Sequence, residues 1–188
     1  MQAQDFSKMM EAEIPRLRRY ARALTRDEVN ADDLVQESLC RGLSKQHLWV
    51  EGTDLRAWLF TIMHNQYVNF VRRNVRQGSQ VAVSDAEPSL TRAANQDRRL
   101  ELRDLDRALA LLPEEQRVVI LLIGLEGMAY ETAAEVIGIP VGTVRSRLSR
   151  GREALRGLMM GVVPDRQADA RMARSRTNSP TSSTAAAA

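Results

Sequence analysis

Apolar residues in this chain recur three and four positions apart, the spacing of one face of an α-helix, and no stretch alternates apolar with polar long enough to read as a strand. Leu17, Tyr20, Ala21 and Leu24 predict a first helix, with Pro15 in its first turn and Arg16, Arg18, Arg19 and Arg22 on its other faces. Asn30 reads as the N-cap of a second, with Asp32 and Asp33 in the first turn, where the helix dipole favours acids. Leu34, Val35, Ser38, Leu39 and Leu43 form its inward stripe. A loop from Lys45 to Thr53, broken at Gly52, leads into a long helix from near Asp54 to about Arg73. Its buried side is expected to be Leu55, Trp58, Leu59, Ile62 and Met63.

The stretch Gln77 to Asn95 loses this periodicity and holds Gly78, Ser79, Ser84, Pro88 and Ser89, so it reads as a flexible linker. Beyond it, Leu102, Leu105, Leu109 and Leu112 mark another helix. Pro113 ends that helix and opens the next, with Glu114 and Glu115 in the first turn and Val118, Val119, Leu122 and Leu125 along it, up to Glu126-Gly127. After Gly161 the pattern fades into Arg, Ser, Thr, Asn, Pro and a run of alanines, the composition of a disordered tail. The expected fold is all-α. It has two small helical domains, residues 10–76 and 96–160, joined by a linker at 77–95 and followed by a tail at 161–188.

Composition narrows the function classes. Apolar residues make up 44% and aromatics only 4%, so Leu, Val, Ile, Ala and Met build the core, which suits helices. Charged residues are 27%, as in a soluble protein. The net charge is only +3, but the basic residues are nearly all arginine, the side chain suited to gripping phosphates and base edges in two places. A single cysteine, Cys40, rules out an intramolecular disulfide and fits a reducing cytosol; it reads as a small, partly buried helical residue. With two histidines, His47 and His64, and no C-x-x-C pair, no metal site is expected, nor any cofactor or catalytic group. The segment Met1 to Glu13 carries Asp5, Lys8, Glu11 and Glu13 and is no signal peptide. The longest apolar run, Val118 to Leu125, falls far short of the roughly 20 residues that cross a bilayer, so a cytoplasmic protein without membrane insertion is expected.

The most informative stretch is Tyr130 to Ser149. Ala134 falls where two helices must touch, Gly138 where the first must end left-handed, and Val144 where the second packs back onto it. That register is a helix-turn-helix. With Val144 and Leu148 inward, about 100° per residue puts Ser146, Ser149 and Arg150 opposite the core, Arg145 and Arg147 on the flanks and Thr143 at the tip. From Val141 to Gly157 five arginines face one acid, Glu153. These features predict DNA binding, with Arg145 and Arg150 suited to guanine edges, Ser146 and Ser149 to bases or phosphates, and Arg147 to phosphate.

A second stretch, Trp49 to Arg76, holds Trp49, Trp58, Phe60, Tyr67 and Phe70, five of the eight aromatic residues. Most of these read as core, Trp58 above all. Asn65, Gln66 and Asn69, with Arg72 and Arg73 following, are suited to holding unpaired bases and their phosphates.

These residues resemble a known family. Ala31-Asp32-Asp33-Leu34-Val35-Gln36-Glu37 is similar to the polymerase-binding helix of sigma region two. Asp54-Leu55-Arg56-Ala57-Trp58-Leu59 resembles the start of its promoter-melting helix. Leu112 to Arg117, Ala133-Ala134-Glu135 and Pro140 to Arg147 resemble sigma region four. Two such regions without a middle domain are the pattern of the extracytoplasmic-function sigma factors of bacterial RNA polymerase. The resemblance implies that the 33–46 helix, through Asp33, Gln36, Glu37 and Arg41, docks on the clamp helices of the polymerase largest subunit. It implies that Asn65, Gln66, Asn69, Arg72 and Arg73 meet the minus-ten element, where a flipped base is captured near Asn65. The helix from Thr143 would enter the major groove at the minus-thirty-five element, region four would meet the flap of the second-largest subunit, and residues 77–95 would thread toward the RNA exit channel. An anti-sigma partner is the usual means of control. Many members carry an aromatic or bulky residue where Ser149 stands, so the promoter sequence is not implied.

Two rivals cover less of the chain. An autonomous helix-turn-helix regulator explains Tyr130 to Ser149 but leaves Asp32 to Glu37 and the aromatic block unused, and no dimerisation heptads are present. A hydrolase built on His47 or His64 with Asp32 or Asp33 lacks a positioned nucleophile.

Overall fold

The structure, a computed structural model, describes residues 3–76 and 96–161. The expected linker and the tail after Gly161 lie outside the described residues. Seven α-helices and no strand are present among the described residues. Helices α1 (Ala3–Thr25), α2 (Glu28–Ser44) and α3 (Leu55–Arg76) form a first bundle; α4 (Gln96–Leu111), α5 (Glu114–Ile120), α6 (Tyr130–Ile137) and α7 (Val141–Met159) form a second.

Helix α1 corrects the expectation for Pro15, which lies in its interior on an exposed face instead of in its first turn. The helix begins at Ala3 because Phe6 and Met10 are core residues: the Phe6 ring sits 5.5 Å from Trp49 and 6.2 Å from Trp58. Burying Phe and Met contributes about 1.5–3 kcal/mol each, which offsets the roughly 3 kcal/mol that an interior proline costs.

Helix α2 is capped by Asp27, not by Asn30: the Asp27 carboxylate accepts from the Asn30 backbone N–H at 2.7 Å. Its buried stripe is Ala31, Leu34, Val35, Ser38 and Gly42, so Leu43, one residue or about 100° further round, points to solvent against expectation. Gly42 takes the inward place because a Cβ there would stand 3.1 Å from Met10 and 3.2 Å from Leu59. Cys40 is exposed and not partly buried, for it lies on the side of α2 away from that stripe.

The 45–53 segment contains a short 3-10 turn, Gln46–Leu48, and anchors itself through the buried Trp49. Asp54 then caps α3, its carboxylate accepting from the Ala57 N–H at 3.0 Å. The inward side of α3 is wider than the stripe of Leu55, Leu59 and Met63, because Phe60, His64, Gln66 and Tyr67 are buried as well, while Trp58 and Ile62 are only half-buried.

In the second bundle α5 runs into a π-helical turn, Leu121–Leu125, closed by the Glu126 N–H donating to the Leu121 carbonyl at 3.0 Å. This wider turn buries Leu121 and Leu122, rotates Leu125 outward and delivers Glu126 inward. Helix α6 lies against α3, and the buried residues of the two bundles form one continuous apolar cluster.

Candidate nucleic-acid interface

Helices α6 and α7 form the expected helix-turn-helix. Ala134 is buried and its carbonyl accepts from Gly138 N–H at 2.8 Å; Gly138 ends α6 at φ +75°, and Val144 is fully buried beneath α7. The left-handed residue has to be glycine on conformational grounds alone, since no atom lies within 4 Å of where its Cβ would be.

The outward face of α7 follows the expected phase. Arg145, Ser146, Ser149 and Arg150 are exposed, and Thr143 is half-exposed at the tip. The Ser146 hydroxyl donates to the Thr143 carbonyl at 3.0 Å, and Arg150 Nε donates to the Ser146 carbonyl at 3.3 Å, so Arg150 lies along the helix surface. The Arg145 guanidinium is 5.9 Å from the Tyr130 ring centre and 3.9 Å from the Glu131 carboxylate. Arg147 differs from its neighbours: its side chain is only 20% exposed and pairs with Glu115 of α5 at 2.7 Å. Sequence reasoning left out two arginines of this face. Arg152 and Arg156 join Arg145 and Ser149 around a surface cleft of about 420 Å³ bordered by Tyr130. Positions 145, 149, 152 and 156 follow the four-three-four spacing of one helix face, which is the signal that would have found them.

In the first bundle, Asp33, Gln36, Glu37 and Arg41 are all exposed along α2. Beside them a second cleft, about 400 Å³, is lined by Glu37, Arg41, Gln66, Asn69, Arg72, Arg73 and Arg76. Asn69, Arg72, Arg73 and Arg76 are exposed there, and Asn65 is exposed on the same helix. Gln66 is the exception. It is buried, with its amide Nε2 donating to Glu37 Oε1 at 2.9 Å and its Oε1 accepting from Arg41 Nη1 at 2.9 Å.

A third polar group joins the bundles. Arg19 Nη2 lies 2.9 Å from Glu126 Oε1, and Arg56 Nη2 lies 3.2 Å from Oε2 and also donates to the Glu126 carbonyl. Nearby, Arg117 donates to the Tyr67 hydroxyl at 3.2 Å. Burial raises the Tyr67 pKa, and the adjacent Arg117 works against that rise. Among the described residues no group of His, Cys, Asp and Glu gathers to hold a metal ion, and no helix is long and apolar enough to cross a membrane.

Comparison with known proteins gives this geometry a context. A family model described as the Sigma2 domain of PhyR matches residues 10–64, and one described as region 4 of sigma-70 matches residues 102–155. The ECF RNA polymerase sigma factor EcfG of Rhodopseudomonas palustris is 38% identical over 152 residues, spanning 79% of this chain and 81% of the relative. The chain belongs to the extracytoplasmic-function RNA polymerase sigma factors. Another sigma factor of the family, SigL of Mycobacterium tuberculosis, is 37% identical over 143 residues, which is 73% of this chain and 79% of that protein. Among solved structures, the sigma factor RpoE of Bartonella quintana, in complex with the anti-sigma factor NepR, superposes with a TM-score of 0.71 at 36% identity, covering 84% of this chain and 98% of that one. CnrH, in complex with the cytosolic domain of CnrY, superposes with a TM-score of 0.65 at 26% identity, covering 85% and 90%. The exposed α2 residues Asp33, Gln36, Glu37 and Arg41 fall in the part matched by the Sigma2 model, the α3 residues from Asn65 onward lie just past its end, and α6 with α7 as far as residue 155 falls in the region 4 match.

Proposed function

We propose that this sigma factor is a dissociable specificity subunit that brings core RNA polymerase to promoters, carries out no catalysis itself, and is held in check by an anti-sigma partner. The observation that carries this reading is the presence in one chain of two separate basic faces, the α7 arginine face and the α3 cleft, next to an exposed polar α2 surface. An autonomous regulator needs one DNA-facing surface; a subunit that reads two promoter elements and docks on polymerase needs all three.

On this reading residues 10–76 and 96–160 are the working domains. Asp33, Gln36, Glu37 and Arg41 dock on the clamp helices, and region four meets the flap of the second-largest subunit. Asn65, Asn69, Arg72 and Arg73, extended by Arg76, meet the minus-ten strand. Thr143, Arg145, Ser146, Ser149 and Arg150 read the minus-thirty-five element, with Arg152 and Arg156 added on phosphates and Arg147 released from Glu115 to do the same. The protein acts in the cytoplasm, on the nucleoid when bound to polymerase. The solved relative RpoE, in complex with the anti-sigma factor NepR, supports the regulatory half of the reading.

The two elements lie about 25 base pairs apart, roughly 85 Å of duplex. A compact chain of this size is roughly 40 Å across. The packed bundles therefore separate when both elements are read.

Competition for core polymerase tests the docking assignment. The double substitution Asp33→Ala with Gln36→Ala removes two exposed side chains, so the fold is expected to persist while affinity for core falls. Unchanged affinity in a folded variant removes this surface from the account.

A further inference from the structure

Gln66 carries an inference about how the docking surface is held. It lies on α3, between the exposed Asn65 and Asn69, yet it is only 3% exposed. Its amide bridges two charged residues of α2, receiving Arg41 Nη1 and donating to Glu37 Oε1, both at 2.9 Å. An amide offers two N–H donors and two acceptor lone pairs. Here one donor and one acceptor are spent on charged partners within the protein. A base edge presented to Gln66 would have to displace bonds to a carboxylate and a guanidinium, which are stronger than bonds to neutral groups.

We propose that Gln66 is a positioning residue for polymerase docking: it fixes the orientation of Glu37 and Arg41 on α2 and reads no base. Glu37 and Arg41 are four residues apart on one exposed helix face, and left alone two long charged side chains there sample many rotamers. The buried amide holds both at once from a neighbouring helix. Less side-chain entropy is then lost when the surface meets its partner, and the charges are already placed. The inference rests on the reading that the outer face of α2 docks on polymerase.

The test uses the full-length chain and core RNA polymerase. Gln66→Met keeps nearly the same volume and removes both hydrogen bonds. It is expected to weaken core binding about tenfold. The affinity of the assembled holoenzyme for a single-stranded minus-ten segment is expected to stay within about twofold. In a Glu37→Ala, Arg41→Ala background the same substitution is expected to add nothing, because the side chains it positions are gone. Gln66→Glu keeps a partner for Arg41 but repels Glu37, so it too is expected to weaken core binding, and Glu37→Gln is expected to recover part of the loss. The proposal is overturned if Gln66→Met leaves core affinity unchanged and lowers affinity for the single strand, the mark of a base reader. It is overturned equally if the loss is undiminished in the Glu37→Ala, Arg41→Ala background, the mark of general packing. If Glu37→Ala with Arg41→Ala itself leaves core affinity unchanged, the docking assignment fails and this proposal falls with it.

Discussion

Arg56 and Glu126 lie 70 positions apart in the chain, and the Arg56 guanidinium meets the Glu126 carboxylate at 3.2 Å across the junction of the two bundles. Arg19 closes on the other carboxylate oxygen at 2.9 Å. The Glu126 side chain is wholly shielded from solvent, so these two arginines compensate a charge that burial would otherwise penalise. The π-helical turn is what makes the contact: a regular α-helical ending would give the residue after Leu125 a different direction.

Glu126→Gln keeps the size of this side chain and removes its charge. Arg56, which is mostly buried, then faces an uncharged partner, and the substitution is expected to cost roughly 2–4 kcal/mol of packing between the bundles. Small-angle scattering is expected to show a larger radius of gyration, and urea unfolding an earlier midpoint. A variant as compact and as stable as the parent would mean that apolar contacts alone hold the bundles together.

His64 gives a pH dependence. It is 8% exposed on α3, and burial lowers its pKa from the ordinary value near 6.5. The folded protein therefore holds the imidazole neutral while the unfolded chain protonates it more readily. The stability linked to His64 is complete above pH 6.5 and is lost as pH falls below that value toward the lowered folded pKa. In His64→Gln this part of the acid-side loss is expected to disappear. Urea midpoints between pH 7.5 and 5 check it; parallel curves for parent and variant would contradict the assignment.

Much of this architecture is legible in the sequence where a local pattern has one physical solution. Ala134, Gly138 and Val144 sit as their spacing demands, because a left-handed helix end and a close helix crossing each admit few residue types. Asp27 was missed in favour of Asn30 because both are good capping residues and periodicity does not locate a boundary. Pro15 misled because burial of Phe6 and Met10, a tertiary effect, outweighs a local penalty. Glu126 and Gln66 were illegible as linchpins, since their partners are distant in sequence and nothing local marks a polar residue as buried. Arg147 was placed correctly on a flank, but its pairing with Glu115 is a contact between helices that helical phase does not contain.

The α7 arginines separate reading from attraction. Arg150 is exposed opposite Val144 and Leu148, and a two-pronged arginine–guanine contact contributes about 1–3 kcal/mol of discrimination. Arg150→Ala is expected to lose that much on the cognate minus-thirty-five duplex and little on a scrambled one. Arg147 has to leave Glu115 to reach phosphate, which offsets part of its contribution, so Arg147→Ala is expected to weaken all duplexes alike and to lower the salt dependence by at most about one counterion. Binding of the full chain to both duplexes at several salt concentrations checks this. An equal loss on both duplexes for Arg150→Ala would make Arg150 a phosphate contact.

Run-off transcription with purified core RNA polymerase tests the central claim most directly, using a promoter library that varies both upstream elements. The account predicts transcripts only when chain and core are present together, from templates sharing a minus-ten and a minus-thirty-five sequence at fixed separation, and fewer of them with Arg150→Ala or with Asp33→Ala and Gln36→Ala. Transcription by core that is indifferent to the chain, with the chain alone binding a paired-half-site duplex, would contradict it.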